Sequence, residues 1–434
     1  MDKMADVLGR AGAWCGQNKY LSAIKNAFQN FMPLTIAGAI GVLWCNVLVN
    51  DQTGLGLFFK PIMALDFLNP AFQAVNFCTI SCITVGITLG IAQEIGVWNM
   101  GAERAGYIPG LVGLAAWLSV TNTSHMVDGA KEAFTGIAGN ELGATGLFTG
   151  MIIGVLSVEL FCFFEKQDAL KIKMPEQVPP GVARAFEVLV PATITLIITA
   201  CIGSACYNLT GLYLNDVIKN GIQGPLGAVG ATIPGVMIIY LVIMLFWLVG
   251  IHGNNMLSAV KEALFTPLAL ENVEAFNKHQ TPKNIINMYA LQMWGEFGGS
   301  GVTIGLVIAI MIFGKREDNK AIATLSLVPG LFNINETVTF GIPMVLNPIL
   351  GIPFVFACLV TILVGYVLTV IGFCPVACLT VPWTTPPIVF GFLATGANVM
   401  GAVTQAILIV VSTVIYVPFL ISYEKYQNKQ AAEA

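Results

Sequence analysis

The chain concentrates its clearest potential for chemistry in one stretch between Pro329 and Pro353. The stretch reads PGLFNINETVTFGIPMVLNPILGIP, and it places Asn333, Asn335 and Glu336 inside an otherwise apolar run. Its prolines rule out an unbroken helix. At membrane depth, irregular backbone and a carboxylate are tolerated only where they face protein or a cavity. The stretch therefore predicts a substrate site in which Glu336 accepts hydrogen bonds from ligand hydroxyls or acts as a general base. A structural carboxylate that caps a half-helix is the alternative.

A second polar run, GIHGNNM (250–256), follows an apolar segment and contains His252, Asn254 and Asn255. Glycines on both sides of the histidine let the backbone approach a ligand closely. The run predicts that His252 acts in the same site and that the two amides bind substrate. A hydrogen-bonded interhelical histidine is the alternative.

Two tryptophans adjoin further polar runs. Trp383 and Thr384 lie in VPWTTPPIVFGFLATG (381–396), and Trp294 precedes Glu296 in MWGEFGGSG (293–301). An indole face stacks well on the apolar face of a ring such as that of a sugar, although interfacial belts also collect tryptophan. We expect Trp383, Thr384 and Trp294 to contribute to substrate binding.

The composition defines the elements that must position these residues. Of 434 residues, 56% are hydrophobic and 10% are charged, with a mean hydropathy of +0.79. Because soluble domains carry about 25% charged residues, the chain is predicted to be an all-α polytopic protein embedded in a lipid bilayer. The net charge of −4 and the lack of a basic cluster argue against nucleic-acid binding. An amphipathic helix is predicted at 19–31, at the membrane surface.

Apolar windows predict about ten transmembrane helices, with re-entrant segments between some of them. The predicted spans are 31–49, 73–93, 106–121, 144–164, 186–204, 232–249, 254–270, 299–314, 354–374 and 401–421. The span at 254–270 carries Lys261 and Glu262, which makes the helix count and sidedness uncertain over 250–298. Most lysines and arginines, among them Lys3, fall on the side of the N-terminus. The residues on the other side are Lys60, Lys131, Lys219, Lys278 and Lys283. This asymmetry predicts that both termini are cytoplasmic.

The two halves of the chain differ in character. Residues 1–210 read as a scaffold of mostly uninterrupted spans, whereas residues 220–434 are broken by the polar runs and read as a binding domain with broken helices and re-entrant segments. The ten cysteines lack the spacing of a metal site, and no nucleotide-binding or hydrolase motif is present. We therefore predict no metal and no cofactor. The energy for transport would come from an ion gradient or from a partner's phosphate, unless transport uses no energy source.

The motifs GIHGNN, NINETVTFGIP and PWTTPPIVFGFLATG resemble the membrane subunit, enzyme IIC, of the sugar phosphotransferase system. Within that system the chain is most similar to the lactose/cellobiose/diacetylchitobiose family, and the similarity runs its full length. The resemblance implies a homodimer in a bacterial cytoplasmic membrane, with the first half forming much of the dimer contact. It also implies that the second half holds the sugar.

The same resemblance assigns roles to two residues. In the family, the histidine matching His252 and the glutamate matching Glu336 lie beside the sugar and are linked to phosphorylation of its 6-hydroxyl. The phosphate comes from a cysteine of a separate cytoplasmic subunit, enzyme IIB, which receives it through enzyme IIA. The chain would thus transport a β-linked disaccharide, diacetylchitobiose or cellobiose by preference, and would not be catalytic alone. We favour Glu336 as the base with His252 orienting, but the sequence leaves the base and the disaccharide open.

Two other functions fit the polar runs. Glu336 and His252 could form the relay of a proton-coupled secondary transporter, in which case uptake would follow a proton gradient without any phosphotransfer partner. Alternatively, Glu336 could be the base of a membrane-embedded transferase acting on a lipid-linked substrate, which would make product without a partner.

Overall fold

The computed structural model describes residues 10, 14, 17–51, 55–125, 134–175, 177–225, 230–342, 344 and 347–433. Three residues used in the sequence analysis lie outside the described residues. They are Lys3 and Lys131, on which the predicted orientation depends, and Pro343 of the proline-interrupted stretch. Most of the described chain is helical. A short antiparallel ribbon pairs β1 (Ser124–His125) with β2 (Phe134–Thr135). The all-α class predicted from composition is confirmed.

Among the described residues, eleven α-helices lie between Lys19 and Met256. They are α1 Lys19–Leu43, α2 Asn69–Asn76, α3 Ile83–Met100, α4 Ala102–Ala105, α5 Ile108–Val120, α6 Gly139–Leu142, α7 Ala144–Glu165, α8 Pro180–Thr210, α9 Leu214–Ile218, α10 Ile233–Leu248 and α11 Gly253–Met256. Shorter 3-10 and π segments join or extend them at Trp44–Leu48, Leu55–Leu57, Lys60–Leu68, Phe77–Ser81, Asp168–Leu170 and Lys219–Gln223.

The remaining helices contain or flank most of the predicted site residues. They are α12 Ser258–Asn277, α13 Met288–Gly295, α14 Ile304–Phe313, α15 Glu317–Leu331, α16 Glu336–Gly341, α17 Gly351–Val370, α18 Val389–Ala394 and α19 Val399–Glu433. A 3-10 turn, Ser300–Val302, separates α13 from α14.

Five helices are long and apolar enough to cross a membrane: Lys19–Leu48, Ala144–Glu165, Pro180–Thr210, Gly351–Val370 and Val399–Glu433. Two bent pairs raise the number to seven if each pair is one span; they are Lys60–Ser81 with Ile83–Met100, bent by 42°, and Met288–Val302 with Ile304–Phe313, bent by 59°. Two shorter apolar helices are α5 and α10. These elements coincide with nine of the ten predicted spans, and the bent pairs agree with the predicted re-entrant segments.

The predicted span at 254–270 is the exception. A helix forms there as α12, but its sequence carries Lys261, Glu262, Glu271 and Glu274, and it is not among the apolar candidate spans of the described chain. Its charged residues instead meet polar partners on neighbouring elements or on the same helix. The sidedness of both termini therefore stays a prediction.

The predicted amphipathic segment 19–31 is helical but is not a separate surface helix. It forms the first half of α1, which continues past Pro33 into the candidate span Lys19–Leu48. Its polar side chains are used within the protein, since Lys19 pairs with Glu159 at 2.5 Å and Asn26 donates to Glu94 at 2.9 Å.

The chain divides into two compact units. The smaller unit comprises Gln17–Gly38 and Val75–Gly227, and the larger unit contains Ala39–Ala74 and Ala228–Ala434 together with the N-terminal residues Met1–Gly16. The division is not the single cut between 210 and 220 expected from the sequence, because residues 39–74 group with the C-terminal part.

Within the smaller unit, a closed network of charges joins three helix ends. Glu165 at the end of α7 is buried and accepts hydrogen bonds from Arg104 Nε of α4 and Arg184 Nη1 of α8, both at 2.9 Å. Glu187 pairs with the same two arginines, at 2.9 and 2.8 Å. Two carboxylates thus balance two guanidinium groups, which limits the cost of burying them.

Within the larger unit, buried amides hold the segment that leads into α13. Asn287 caps α13 by accepting from the N–H groups of Tyr289 and Ala290, and its Nδ2 donates to the Ala377 carbonyl at 3.1 Å. Asn272 of α12 donates to the same carbonyl at 3.0 Å. These bonds fix α12, α13 and the loop after α17 as one framework for the polar runs.

Candidate substrate-binding site

The structure brings His252 and Glu336 together in the larger unit. His252 Nε2 lies 3.8 Å from Glu336 Oε1, and both side chains are partly exposed, at 39% and 47%. Each residue stands at the start of a short helix, α11 and α16 respectively. The distance exceeds that of a hydrogen bond, and a hydroxyl oxygen beside the pair could lie about 2.8 Å from each atom and bridge them.

Local backbone and ring contacts orient His252. Gly253 packs against the backbone of α10 so closely that a Cβ there would lie 2.0 Å from the Ile243 carbonyl oxygen. The Trp247 ring packs on the imidazole with centroids 4.4 Å apart. His252 Nδ1 accepts from the Asn255 N–H at 3.3 Å, which places the proton of the neutral ring on Nε2, the nitrogen nearer Glu336.

The electrostatics of the site favour a neutral His252. His252 lies outside the candidate spans, and burial lowers its pKa, while the neighbouring Glu336 opposes that shift. A neutral imidazole with its proton on Nε2 can donate to a ligand oxygen, whereas Glu336 can accept from the same ligand hydroxyl. The arrangement therefore suits Glu336 as acceptor or base and His252 as donor.

Asn333 cross-links three segments of backbone. It takes a positive φ of 63°, its Oδ1 accepts from the Gly298 N–H at 2.6 Å, and its Nδ2 donates to the carbonyls of Trp383 and Thr385, the latter at 3.1 Å. Both amide hydrogens are thus engaged within the protein. Asn333 positions the loop before Glu336 relative to the PWTTPP segment, and only its oxygen retains capacity for a ligand.

Asn335 is buried and also bonds to backbone. Its Nδ2 donates to the Ser300 carbonyl at 2.7 Å, and Ser300 Oγ accepts from Asn254 Nδ2 at 2.9 Å. Asn254 is half-buried, whereas Asn255 is exposed next to His252. The predicted binding amides therefore converge, but three of the four have hydrogen-bond partners within the protein.

The segment around Ser300 has a backbone with several positive φ angles. Gly298, Gly299, Gly301 and Val302 all have positive φ, from 50° at Val302 to 87° at Gly299. A Cβ at Gly299 would lie 2.6 Å from Asn335, so the close approach requires glycine. A β-branched residue at positive φ is a genuine outlier, and such strain concentrates at functional sites.

The PWTTPP segment presents an open aromatic face. Trp383 is 43% exposed, and its carbonyl accepts from Asn333. Thr384 follows it and is half-buried. Trp383 is therefore available to stack on a ligand ring.

Trp294 has a different environment. It is 1% exposed and packs on α17, where a Cβ at Gly365 would lie 2.3 Å from the indole. Its ring offers no face to a ligand in this conformation, and we leave Trp294 out of the binding proposal below.

A buried ion pair lies next to Trp294 in the chain. Glu296 contacts Lys261 Nζ of α12 and accepts from the Tyr240 hydroxyl at 2.7 Å, with side-chain exposures of 7% for Lys261 and 16% for Glu296. Lys261 Nζ also lies 5.5 Å from the centre of the Tyr240 ring. The pair ties the bent segment after α13 to α10 and α12.

Sequence reasoning missed Gln405, a lone amide inside the apolar α19. Its Oε1 accepts from the N–H groups of Ile388 and Gly391, both at 2.7 Å, and its Nε2 donates to the Met293 carbonyl at 3.2 Å. The two bonds accepted by Gln405 cap the start of α18, where Ile388 has a positive φ of 74°. The bond that Gln405 donates to Met293 connects α19 to α13. An isolated glutamine in an apolar span was the available signal. Across the described residues, no group of three or more histidine, cysteine, aspartate or glutamate side chains could hold a metal ion.

Comparisons with known proteins agree with this architecture. The family described as Phosphotransferase system, EIIC matches residues 25–358. The oligo-beta-mannoside-specific EIIC component of Bacillus subtilis (strain 168) is 33% identical over 429 residues, which cover 98% of this chain and 94% of the relative. The chain belongs to the EIIC family of the phosphotransferase system and is a multi-pass membrane protein.

Two further relatives support the same membership. The cellobiose-specific EIIC component of Lactococcus lactis subsp. lactis (strain IL1403) is 29% identical, with 98% of each chain covered. The crystal structure of ChbC, the IIC component of an N,N′-diacetylchitobiose-specific phosphotransferase system, matches with a TM-score of 0.88, 29% identity and 97% coverage of each chain. The family predicted from the GIHGNN, NINET and PWTTPP motifs is confirmed, and the chain is a sugar permease component of the phosphotransferase system.

Proposed function

We propose that the protein binds a β-linked disaccharide in its larger unit and presents the sugar 6-hydroxyl for phosphorylation by a separate phosphocysteine subunit, EIIB, that is charged by EIIA. The observation that carries the proposal is the 3.8 Å gap between His252 Nε2 and Glu336 Oε1 near the cross-link to Trp383. A hydroxyl in that gap can donate to Glu336 and accept from His252, which positions its oxygen for attack on phosphorus.

The substrate class follows from the groups around the gap. The indole of Trp383 suits the apolar face of a sugar ring, Thr384 adjoins that indole in the chain, and the exposed Asn255 follows His252 by three residues. The relatives named for cellobiose, N,N′-diacetylchitobiose and oligo-beta-mannosides support a β-linked sugar. Diacetylchitobiose and cellobiose are our preferred candidates.

The proposed assembly is a homodimer with both termini in the cytoplasm. The smaller unit would supply much of the dimer contact, and EIIB would approach the larger unit from the cytoplasmic side. Light scattering of the detergent-solubilised protein tests the dimer. Labelling of cysteines introduced at the two ends, with a reagent that does not cross the membrane, tests the orientation.

The function is tested by measuring binding of labelled diacetylchitobiose, cellobiose and lactose, followed by phosphorylation with phosphorylated EIIB. One sugar should bind saturably, and Glu336→Ala and His252→Ala should lose that binding. His279→Ala and Glu317→Ala are matched controls, because both residues are exposed and lie outside the site. Binding that survives both site changes would move the site elsewhere.

A proton-coupled transporter is the second candidate, since two titratable groups lie 3.8 Å apart. Uptake into vesicles under an imposed pH gradient, without EIIB, would favour this function. Phosphorylated sugar inside the vesicles, formed only when phosphorylated EIIB is present, would exclude it.

A further inference from the structure

Ser300 lies at a junction that neither the motifs nor the proposed chemistry assigns a role. It is 3% exposed and is the middle residue of a segment in which Gly298, Gly299, Gly301 and Val302 all have positive φ. Its carbonyl accepts from Asn335 Nδ2 at 2.7 Å, and its hydroxyl accepts from Asn254 Nδ2 at 2.9 Å.

The two bonds of Ser300 reach the two loops that carry the paired site residues. Asn254 lies two residues after His252, and Asn335 directly precedes Glu336. One buried residue thus connects both sides of the 3.8 Å gap. Because the bonds use different atoms of Ser300, the two loops can be released separately by substitution.

The backbone around Ser300 is built to keep it in place. Besides the close approach of Gly299 to Asn335, a Cβ at Gly301 would lie 2.4 Å from the Phe354 ring. The Gly301 carbonyl accepts from the Tyr416 hydroxyl at 2.8 Å. Contacts with Asn335, Phe354 and Tyr416 therefore hold the strained segment. Backbone strain persists where the surrounding structure fixes it in this way.

Among the described residues, the side-chain amide of Asn254 bonds to Ser300 alone. Its Oδ1 is buried and has no hydrogen-bond partner among the described residues. Leaving a buried acceptor unpaired is unfavourable. The hydrogen bond to Ser300 therefore positions the Asn254 amide. It also positions the backbone two residues after His252.

We propose that Ser300 is a positioning residue that sets the separation of His252 and Glu336 through Asn254 and Asn335. The inference rests on the proposed function, because the separation matters only if both groups meet the same hydroxyl. Ser300 does not contact the sugar; it acts through the two amides. Loss of its hydroxyl releases the His252 loop and leaves the bond from Asn335 intact.

The test compares Ser300→Ala, Asn254→Ala and the double variant, with Ser157→Ala as control. Ser157 is equally buried, at 3%, but bonds within its own helix, to Ile153. With saturating phosphorylated EIIB, Ser300→Ala should lower kcat about tenfold to a hundredfold, because small misplacement of reacting groups costs this much. KM should change less than kcat, and Ser157→Ala should match the unmodified protein.

The double variant separates positioning from a general loss of packing. Since both single changes break the same hydrogen bond, the double variant should be no slower than Asn254→Ala alone. Ser300→Thr retains the hydroxyl and should recover activity. Losses that multiply in the double variant, or a Ser300→Ala protein with unchanged kcat, would overturn the proposal.

A second readout does not depend on transport or phosphorylation. The rate at which diethyl pyrocarbonate modifies His252, followed by mass spectrometry of its peptide, should rise in Ser300→Ala and stay constant in Ser157→Ala. If no disaccharide is phosphorylated by the unmodified protein, the proposed function fails, and this rate still decides whether Ser300 holds the His252 loop. An unchanged rate would refute the positioning role.

Discussion

Replacing Lys261 by methionine should destabilise the folded protein by about 3–5 kcal/mol, because it leaves the carboxylate of Glu296 buried without its cation. Both side chains are largely buried, at 7% and 16% exposure, so solvent screens the charge little. The Tyr240 hydroxyl still donates to Glu296 at 2.7 Å, and this charged hydrogen bond places the expected loss at the lower end of the range.

Lys278, which directly follows α12, provides a matched control. Lys278 pairs with Glu274 at 2.5 Å, but these side chains are 59% and 41% exposed. Exposed pairs contribute about 0.2–1 kcal/mol, so Lys278→Met should have a small effect. The two substitutions are chemically identical and differ in burial and in partner.

A double variant, Lys261→Met with Glu296→Gln, completes the design. Removing both charges together leaves no uncompensated ion, and such neutral replacements are often tolerated. The double variant should therefore be more stable than Lys261→Met alone. Denaturant titration in mixed micelles, followed by tryptophan fluorescence, measures the free energies. Equal effects of Lys261→Met and Lys278→Met, with no recovery in the double variant, would refute the reasoning.

Three further predictions concern the open aromatic, the smaller unit and its pH response. Trp383→Ala should weaken disaccharide binding about tenfold and Trp383→Phe less, as measured by calorimetry, because the exposed indole provides a stacking face. Glu165→Gln should lower the thermal unfolding midpoint in detergent, because Arg104 and Arg184 would then share only one carboxylate. Glu141 lies outside the candidate spans, and burial raises its pKa above 4.5, so its ionisation destabilises the folded state as pH rises through that range. Glu141→Gln should raise the unfolding midpoint near pH 7 and flatten the loss of stability as pH rises above about 4.5.

The sequence was most informative where polar residues interrupt apolar runs. His252 and Glu336 were selected because a histidine between glycines and a carboxylate in an apolar stretch are costly in a membrane unless used. Their proximity could not be obtained from spacing, since 84 residues separate them (336 − 252). The family resemblance supplied that pairing, and the 3.8 Å distance agrees with it.

The two candidate tryptophans show what local sequence leaves undetermined. Both Trp294 and Trp383 adjoin polar or glycine-rich runs, yet one is 1% exposed and the other 43%. The difference depends on Gly365, which lies 71 residues beyond Trp294 (365 − 294) and makes room for its indole on α17. Such tertiary contacts decide burial, and no local motif encodes them.

The asparagines show a related difficulty. An amide in a polar run can bind a ligand or satisfy backbone, and composition does not distinguish these uses. Asn333 and Asn335 donate to carbonyls of other loops, because irregular backbone leaves carbonyls that helices would otherwise satisfy. A site made of broken helices therefore needs side-chain amides to satisfy its unpaired backbone carbonyls. Gln405 follows the same logic at the start of α18.

In the larger unit, the pair of Lys261 and Glu296 is in close contact, whereas the pair of His252 and Glu336 is not. We infer that the first pair supports the fold and that the second is the one available for chemistry. Lys261 and Glu296 are buried and in contact, and Glu296 also accepts a hydrogen bond from Tyr240. Their interaction holds the bent segment in place. His252 and Glu336 stop short of a hydrogen bond and are 39% and 47% exposed. A fully formed pair would occupy the donor and acceptor that a hydroxyl needs. In the proposed function, the surrounding amides and the buried pair hold the fold, so that His252 and Glu336 remain available to a sugar hydroxyl that bridges them.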